Sequence, residues 1–400
     1  VTGRGNSPRW QRWALLLALL LIGVVVVGFG ILELPTAPVV PAITPIPNTA
    51  AGRLVEQIEM VNYPTSQVGW AVVPKNPYWR LVRTTDAGAR WIDVTPPGNA
   101  SNGGIAVTVT GPSSAIVVFL AYQYLRASTF AMTTDGGSDW TAGILPNAVS
   151  DGPDPMFALN SSRLWAVLAN GTVLASSNRG SSWSAVALPG LASGSCLATS
   201  VWFTSPANGW VTGHCQGVAA LWHSADSGSS WRPVVLSGDY ASSADVSVAP
   251  PQETASGAVL TSAVSSARGP ESLRVFEESS TLSGWTSAPA VALPAGRVLV
   301  SFASPSDGWA LVAPRAASAL VLAYQTSNAG VNWSFQTTTV PAAEVTAFDL
   351  LSPGNAVALT QAGRKDDLWS PSQGGKSWHQ TPMVISEGPV PKVNGITGSQ

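Results

Sequence analysis

The residues able to do chemistry are few and scattered. The 400-residue chain carries 22 acidic residues, 3 histidines and 2 cysteines. Hydrolysis of a glycosidic bond needs two carboxyl groups flanking the scissile bond. The adjacent pair Glu277-Glu278 does not supply them, because neighbours on a strand point to opposite faces. His214, His223 and His379 are isolated from one another and read as structural. No Ser-His-Asp set and no Gly-rich phosphate loop stands out, so no catalytic residue, cofactor site or metal site is assigned. The cysteines are more informative. Cys196 and Cys215 flank a hairpin with its turn at Ser205-Pro206. Pairing about that turn sets Val201 against Trp210 and Cys196 against Cys215, which suits a disulfide. Two buried free thiols are the alternative. Neither cysteine has His or Cys neighbours at zinc-ligand spacing.

Three further carboxylates, Asp86, Asp135 and Asp226, sit in one recurring frame. Thr84–Trp91, Thr133–Trp140, Ser176–Trp183, Ser224–Trp231 and Thr326–Trp333 all begin with Ser or Thr and end with Trp. The third position is Asp86, Asp135, Asn178, Asp226 or Asn328, and the fifth is Gly88, Gly137, Gly180, Gly228 or Gly330. Two worn copies end at Trp285 and at Trp378, the latter with Gly375 kept. An Asp or Asn here accepts N–H bonds within its own turn, the Gly supplies φ > 0, and the Trp opens the next strand. The frame is thus a folding device that uses up the carboxylates.

The seven terminal Trp residues are 49, 43, 48, 54, 48 and 45 positions apart, a period that signals a propeller or solenoid. Each repeat holds a hairpin, often with Gly-Trp or Leu-Trp at its second strand (Trp70, Trp165, Trp210, Trp309), then a third strand leading into the frame and a fourth after it. Seven such repeats predict an all-β, seven-bladed β-propeller of four-stranded blades over 56–384. The fifth repeat, ending at Trp285, is the most degenerate. The closing strand of the ring is not evident; Gly52–Gln57 or Gly388–Val393 are the candidates.

The termini read differently. Trp13 to Leu32 is 20 residues without a charge, long enough to span a bilayer, and Arg4, Arg9 and Arg12 precede it. By the positive-inside rule, residues 1–12 form a cytoplasmic tail, 13–34 one N-terminal transmembrane helix, and the rest is extracytoplasmic. A cleaved signal peptide is the competing reading. Residues 35–55, rich in Pro, form an extended spacer, and 385–400 a C-terminal tail. A net charge of −2 gives no general attraction for nucleic acid.

The frame resembles the Asp-box, or bacterial neuraminidase repeat. The combination with Gly-Trp hairpins resembles propellers of the photosystem II assembly and stability factor type and their bacterial relatives. That resemblance implies a non-catalytic protein- or ligand-binding scaffold; a sialidase-like glycoside hydrolase is the alternative. Sialidases share an Arg-Ile-Pro motif, whereas the first repeat here reads Tyr78-Trp-Arg-Leu-Val-Arg83. A protein or glycan partner is expected on the loops between second and third strands. There Lys75, Tyr78, Trp79, Tyr122, Tyr124, Arg126, Arg315, Arg364 and Lys365 gather in one sector once repeats six, seven, one and two become neighbours; exposed aromatics beside Arg favour binding.

Overall fold

The computed structural model describes residues 53–54, 57–75, 78–97, 104–120, 128–150, 154–191, 193–236, 246–248, 251–253, 259–265, 271–278, 285–314, 320–341, 345–362, 365–372 and 375–395. The expected membrane segment and most of the spacer lie outside them. Among the described residues no helix is long and apolar enough to cross a membrane.

The described strands form seven antiparallel-built sheets in chain order, one per repeat. The fourth blade shows the plan: Cys196–Phe203, Gly209–Cys215, Val218–Ser224 and Arg232–Val234 pair in sequence order. The first strands of neighbouring blades touch one another and so lie innermost. The fifth blade is irregular. Its first strand is split into Val246–Val248 and Gln252–Glu253, and its fourth into Trp285–Ser287 and Val291–Leu293. Pro251 and Pro289 fall at the two breaks, where a missing N–H removes a ladder bond.

Adjacent first strands are laced by side chains that accept a backbone N–H from the next blade. Phe302 N donates to Gln252 Oε1 at 3.2 Å, Leu350 N to Ser301 Oγ at 3.0 Å, and Tyr63 N to Asp349 Oδ2 at 2.9 Å. The last of these joins blade seven to blade one. A second bond at this seam runs from Ile58 N to Asp366 Oδ2 at 2.6 Å.

The ring is closed outside the four-stranded pattern. Val384–Ser386 adds in parallel to Trp91–Asp93, the fourth strand of blade one, and Arg53–Leu54 then pairs with Val384–Ser386. Farther along, Lys392–Gly395 adds in parallel to Asp139–Ile144, the fourth strand of blade two. Of the expected candidates, Gly52–Gln57 contributes Arg53–Leu54 and Gly388–Val393 overlaps Lys392–Gly395, but the strand that joins blade one first, Val384–Ser386, lies outside both. The chain end covers the edges of the first two blades, which protects two otherwise unpaired strand edges.

In the fourth blade the register departs from expectation at one point. Cys196 faces Cys215, but Trp210 faces Trp202, and Val201 faces Val211. A bulge between Ala198 and Ser200 shifts the ladder by one residue. The turn end is therefore longer than Ser205-Pro206 alone, with Thr204 N bonded to Asn208 O at 3.0 Å. The extra residue, Thr199, is taken up by the bulge. Below it the original register returns, and Cys196 and Cys215 are joined as a disulfide.

Candidate functional site

The five good frames share one hydrogen-bond pattern. The opening hydroxyl donates to the Asp or Asn oxygen at 2.7–3.0 Å and accepts the N–H of the frame glycine at 2.8–3.0 Å. The same Asp or Asn oxygen accepts the N–H of the seventh residue at 2.8–3.0 Å. These bonds hold the carboxyl groups of Asp86, Asp135 and Asp226 below their usual range, Asp226 at about 2. In three of the five frames, and in the worn copy ending at Trp378, the terminal Trp closes the turn: Nε1 of Trp140, Trp231, Trp333 and Trp378 donates to the glycine carbonyl at 3.0–3.1 Å. These aspartates are committed acceptors, ionised and engaged at neutral pH.

The glycine has a second reason for its place. At Gly228 (φ +78°) an added Cβ would lie 2.8 Å from the Trp165 ring of the preceding blade; at Gly137 (φ +92°) it would lie 2.6 Å from Val94, again one blade back. Each turn is thus wedged against its neighbour.

The hairpin tryptophans Trp70, Trp165, Trp210 and Trp309 are all buried. In three blades an aromatic ring that the sequence reading overlooked completes this packing. Tyr63, Phe203 and Phe302 each lie over the glycine before the hairpin Trp, within 2.7 Å of where its Cβ would be. Each ring also meets the frame Trp of its own blade edge-on: Tyr63 with Trp91, Phe203 with Trp231 and Phe302 with Trp333. Blade three makes the complementary exchange, with Leu164 in the glycine position facing Ala158. The available signal was an aromatic six residues before each Gly-Trp glycine.

His223 belongs to the same architecture. It faces Trp210 across the ladder, as Arg83 faces Trp70. The His223 ring stacks on Trp210 with centroids 4.1 Å apart, whereas the Arg83 guanidinium lies 5.4 Å from the Trp70 ring. Burial, with the nearby Arg232, lowers the His223 pKa to about 4, so the ring is neutral at physiological pH. Glu278 Oε1 lies 3.8 Å from its Nδ1; burial raises the Glu278 pKa.

The open concave space lies elsewhere. A cavity of about 680 Å³ is bounded by inner-strand residues of blades one to five, a volume typical of ligand sites. Its wall mixes apolar and polar groups, among them Asn62, Phe157, Trp202 and Gln252. Glu59 and Asp154 are the charged residues on it, and no described basic residue lines it. Asp154 has a left-handed backbone (φ +47°) just before the first strand of blade three. It is held from both sides: Thr108 of blade two hydrogen-bonds its carboxyl, and its carbonyl accepts Val201 N of blade four at 3.2 Å. Burial raises the pKa of Asp154. Burial and, second, Asp366 raise that of Glu59.

The expected basic sector is only partly described. Lys75 faces Tyr78 at the end of the second and third strands of blade one, and Lys365 faces Ala362 at the same place in blade seven. Both backbone positions border the loop between second and third strands. Trp79 is half-buried against the core shared by blades one and two, so its ring serves packing as well as surface. Tyr122, Tyr124, Arg126, Arg315 and Arg364 lie outside the described residues.

The fold and its repeated turns define the class, a seven-bladed β-propeller. No family model and no curated protein matches the chain. Solved structures do. A GH74 xyloglucanase from Xanthomonas campestris aligns over 82% of this chain and 55% of its own, with 15% identity and a TM-score of 0.58. A prolyl endopeptidase aligns over 83% of this chain and 50% of its own, with 10% identity and a TM-score of 0.54. A YCF48 structure bound to D1 peptide aligns over 81% of this chain and 97% of its own, with 17% identity and a TM-score of 0.49. The chain spans about half the length of the two enzymes. At such identities the likeness is one of fold.

Proposed function

We propose that the chain is a non-catalytic binding scaffold, a propeller held outside the cytoplasm by its N-terminal apolar segment and presenting its surface to a protein or glycan. The observation that carries this reading is the use made of the carboxylates. Asp86, Asp135 and Asp226 are acceptors inside turns, and Asp349 and Asp366 are acceptors at the blade-seven seam. In each, at least one carboxylate oxygen is occupied in holding a backbone N–H. The xyloglucanase likeness is one of fold alone and does not favour a hydrolase over a scaffold.

The partner-facing part of this reading is the basic sector of blades six, seven, one and two, where Lys75, Arg126, Arg315, Arg364 and Lys365 supply the charge. Rim charges act on encounter and register more than on the fold. Charge reversal at Arg126, Arg315 and Arg364 together is therefore expected to reduce capture of a partner from the native membrane by tenfold or more with an unchanged melting curve. Undiminished capture would remove the sector from the proposal. Turnover in a panel of fluorogenic glycosides, abolished by one carboxylate substitution, would replace the scaffold reading with a hydrolase.

A further inference from the structure

The cavity at the inner strands has a chemistry of its own. Two acidic side chains, Glu59 and Asp154, are set among aromatic and aliphatic walls that include Phe157 and Trp202. A carboxylate withdrawn from water is costly unless an opposite charge or a proton compensates it. Asp154 responds as that cost requires, its burial making it hold its proton more tightly than an exposed carboxyl, whereas Glu59 is exposed and brings a second carboxylate to the cavity wall from the solvent side. The Asp154 carboxyl is anchored by Thr108, and its backbone is fixed between blades two and four. Its position is thus set by the fold. An aromatic wall adds attraction for a cation that carries an apolar stem, while a strongly hydrated inorganic ion gains nothing from it.

We infer that this cavity binds a protonated primary amine on an aliphatic stem, with Asp154 and Glu59 as its counter-charges and Phe157 and Trp202 against the stem. The inference deepens the scaffold reading and rests on it: the site holds its ligand without transforming it. Two sources offer the same chemistry, a free aliphatic diamine and the lysine side chain of a peptide.

The test uses the full chain at pH 7, titrated by calorimetry with 1,5-diaminopentane and with a capped Ala-Lys-Ala peptide. The uncharged isostere 1,5-pentanediol serves as control. At least one amine is expected to bind while the diol does not. Diamine binding alone assigns a small-molecule site, and peptide binding alone assigns a lysine pocket. The double variant Glu59→Gln/Asp154→Asn, close in shape to the parent and with Asn well tolerated at positive φ, is expected to weaken that binding more than tenfold. Equal binding of amine and diol to the parent chain would overturn the proposal whatever the variants do, and so would failure of both amines to bind. Undiminished binding by a folded double variant would overturn it too. The scaffold reading is tested separately: NMR of the recovered probe would reveal chemical conversion, which would end the non-catalytic reading but keep the site. Absence of amine binding with intact partner capture would end the site but keep the scaffold.

Discussion

At the scale of single residues, the frame glycine illustrates how two requirements meet at one position. Gly228 needs a left-handed backbone and also the absence of a side chain, because the Trp165 ring occupies the Cβ position. Gly217, in the same blade, provides a control. It has φ +83° at a two-residue turn, yet nothing lies within 4 Å of an added Cβ. Gly217→Ala is expected to cost about 1 kcal/mol, the lower end of the strain range. Gly228→Ala should cost about 1–3 kcal/mol more, since the ring must move. Urea denaturation of the two variants measures the difference. Equal losses would show that the wedge between blades three and four contributes nothing.

At the scale of elements, the fourth-blade hairpin is held at both ends. Phe203 and Trp210 pack the turn end, and the disulfide closes the other across a sequence separation of 19 residues. The bulge between them lets each end keep its own register. Cross-linking a loop of this length stabilises by about 3 kcal/mol in the chain-entropy model. Replacing both Cys196 and Cys215 with Ala should lower the unfolding free energy by about that amount. The variant should also become indifferent to reductant, whereas the parent loses stability on reduction. Urea denaturation with and without dithiothreitol reads both effects, and a variant as stable as the oxidised parent would refute them.

At the scale of the whole molecule, the ring is joined where its first and last blades meet, and that seam uses carboxylates where the neighbouring seams use Gln252 and Ser301. Burial raises the Asp349 pKa to about 6, partly offset by its bond from Tyr63 N. Because the folded form holds this proton more tightly than the unfolded chain, Asp349 favours folding in acid, and that advantage disappears as pH rises from about 4 to about 6. A separation of that size corresponds to about 3 kcal/mol. Asp349→Asn keeps an acceptor for Tyr63 N and has no proton to lose. It should therefore flatten the stability profile between pH 4 and 6 and raise stability at pH 7. The frame aspartates act in the opposite sense: their depressed pKa values stabilise the fold above pH 4, and this is lost as pH falls toward 2, where Asp226 takes up its proton. Chemical denaturation from pH 3 to 8 separates the two; an unchanged profile in Asp349→Asn would disprove the role given to the seam carboxylate.

The sequence by itself determined the repeat, the four strands within it, the turn chemistry and the facing of Cys196 and Cys215. All of these depend on residues close together in the chain, where spacing reports geometry directly. The hairpin register was less legible, because a bulge at Thr199 adds one residue without a composition signal. The aromatic caps Tyr63, Phe203 and Phe302 were present at a regular offset, but their meaning required seeing the ring over the glycine. Tertiary structure alone decided how the ring closes and where the cavity lies. Lys392–Gly395 reaches back to a strand some 250 residues earlier, and the cavity draws its wall from Glu59 to Gln252. No periodicity encodes such contacts, since they arise only when every blade has packed against the next.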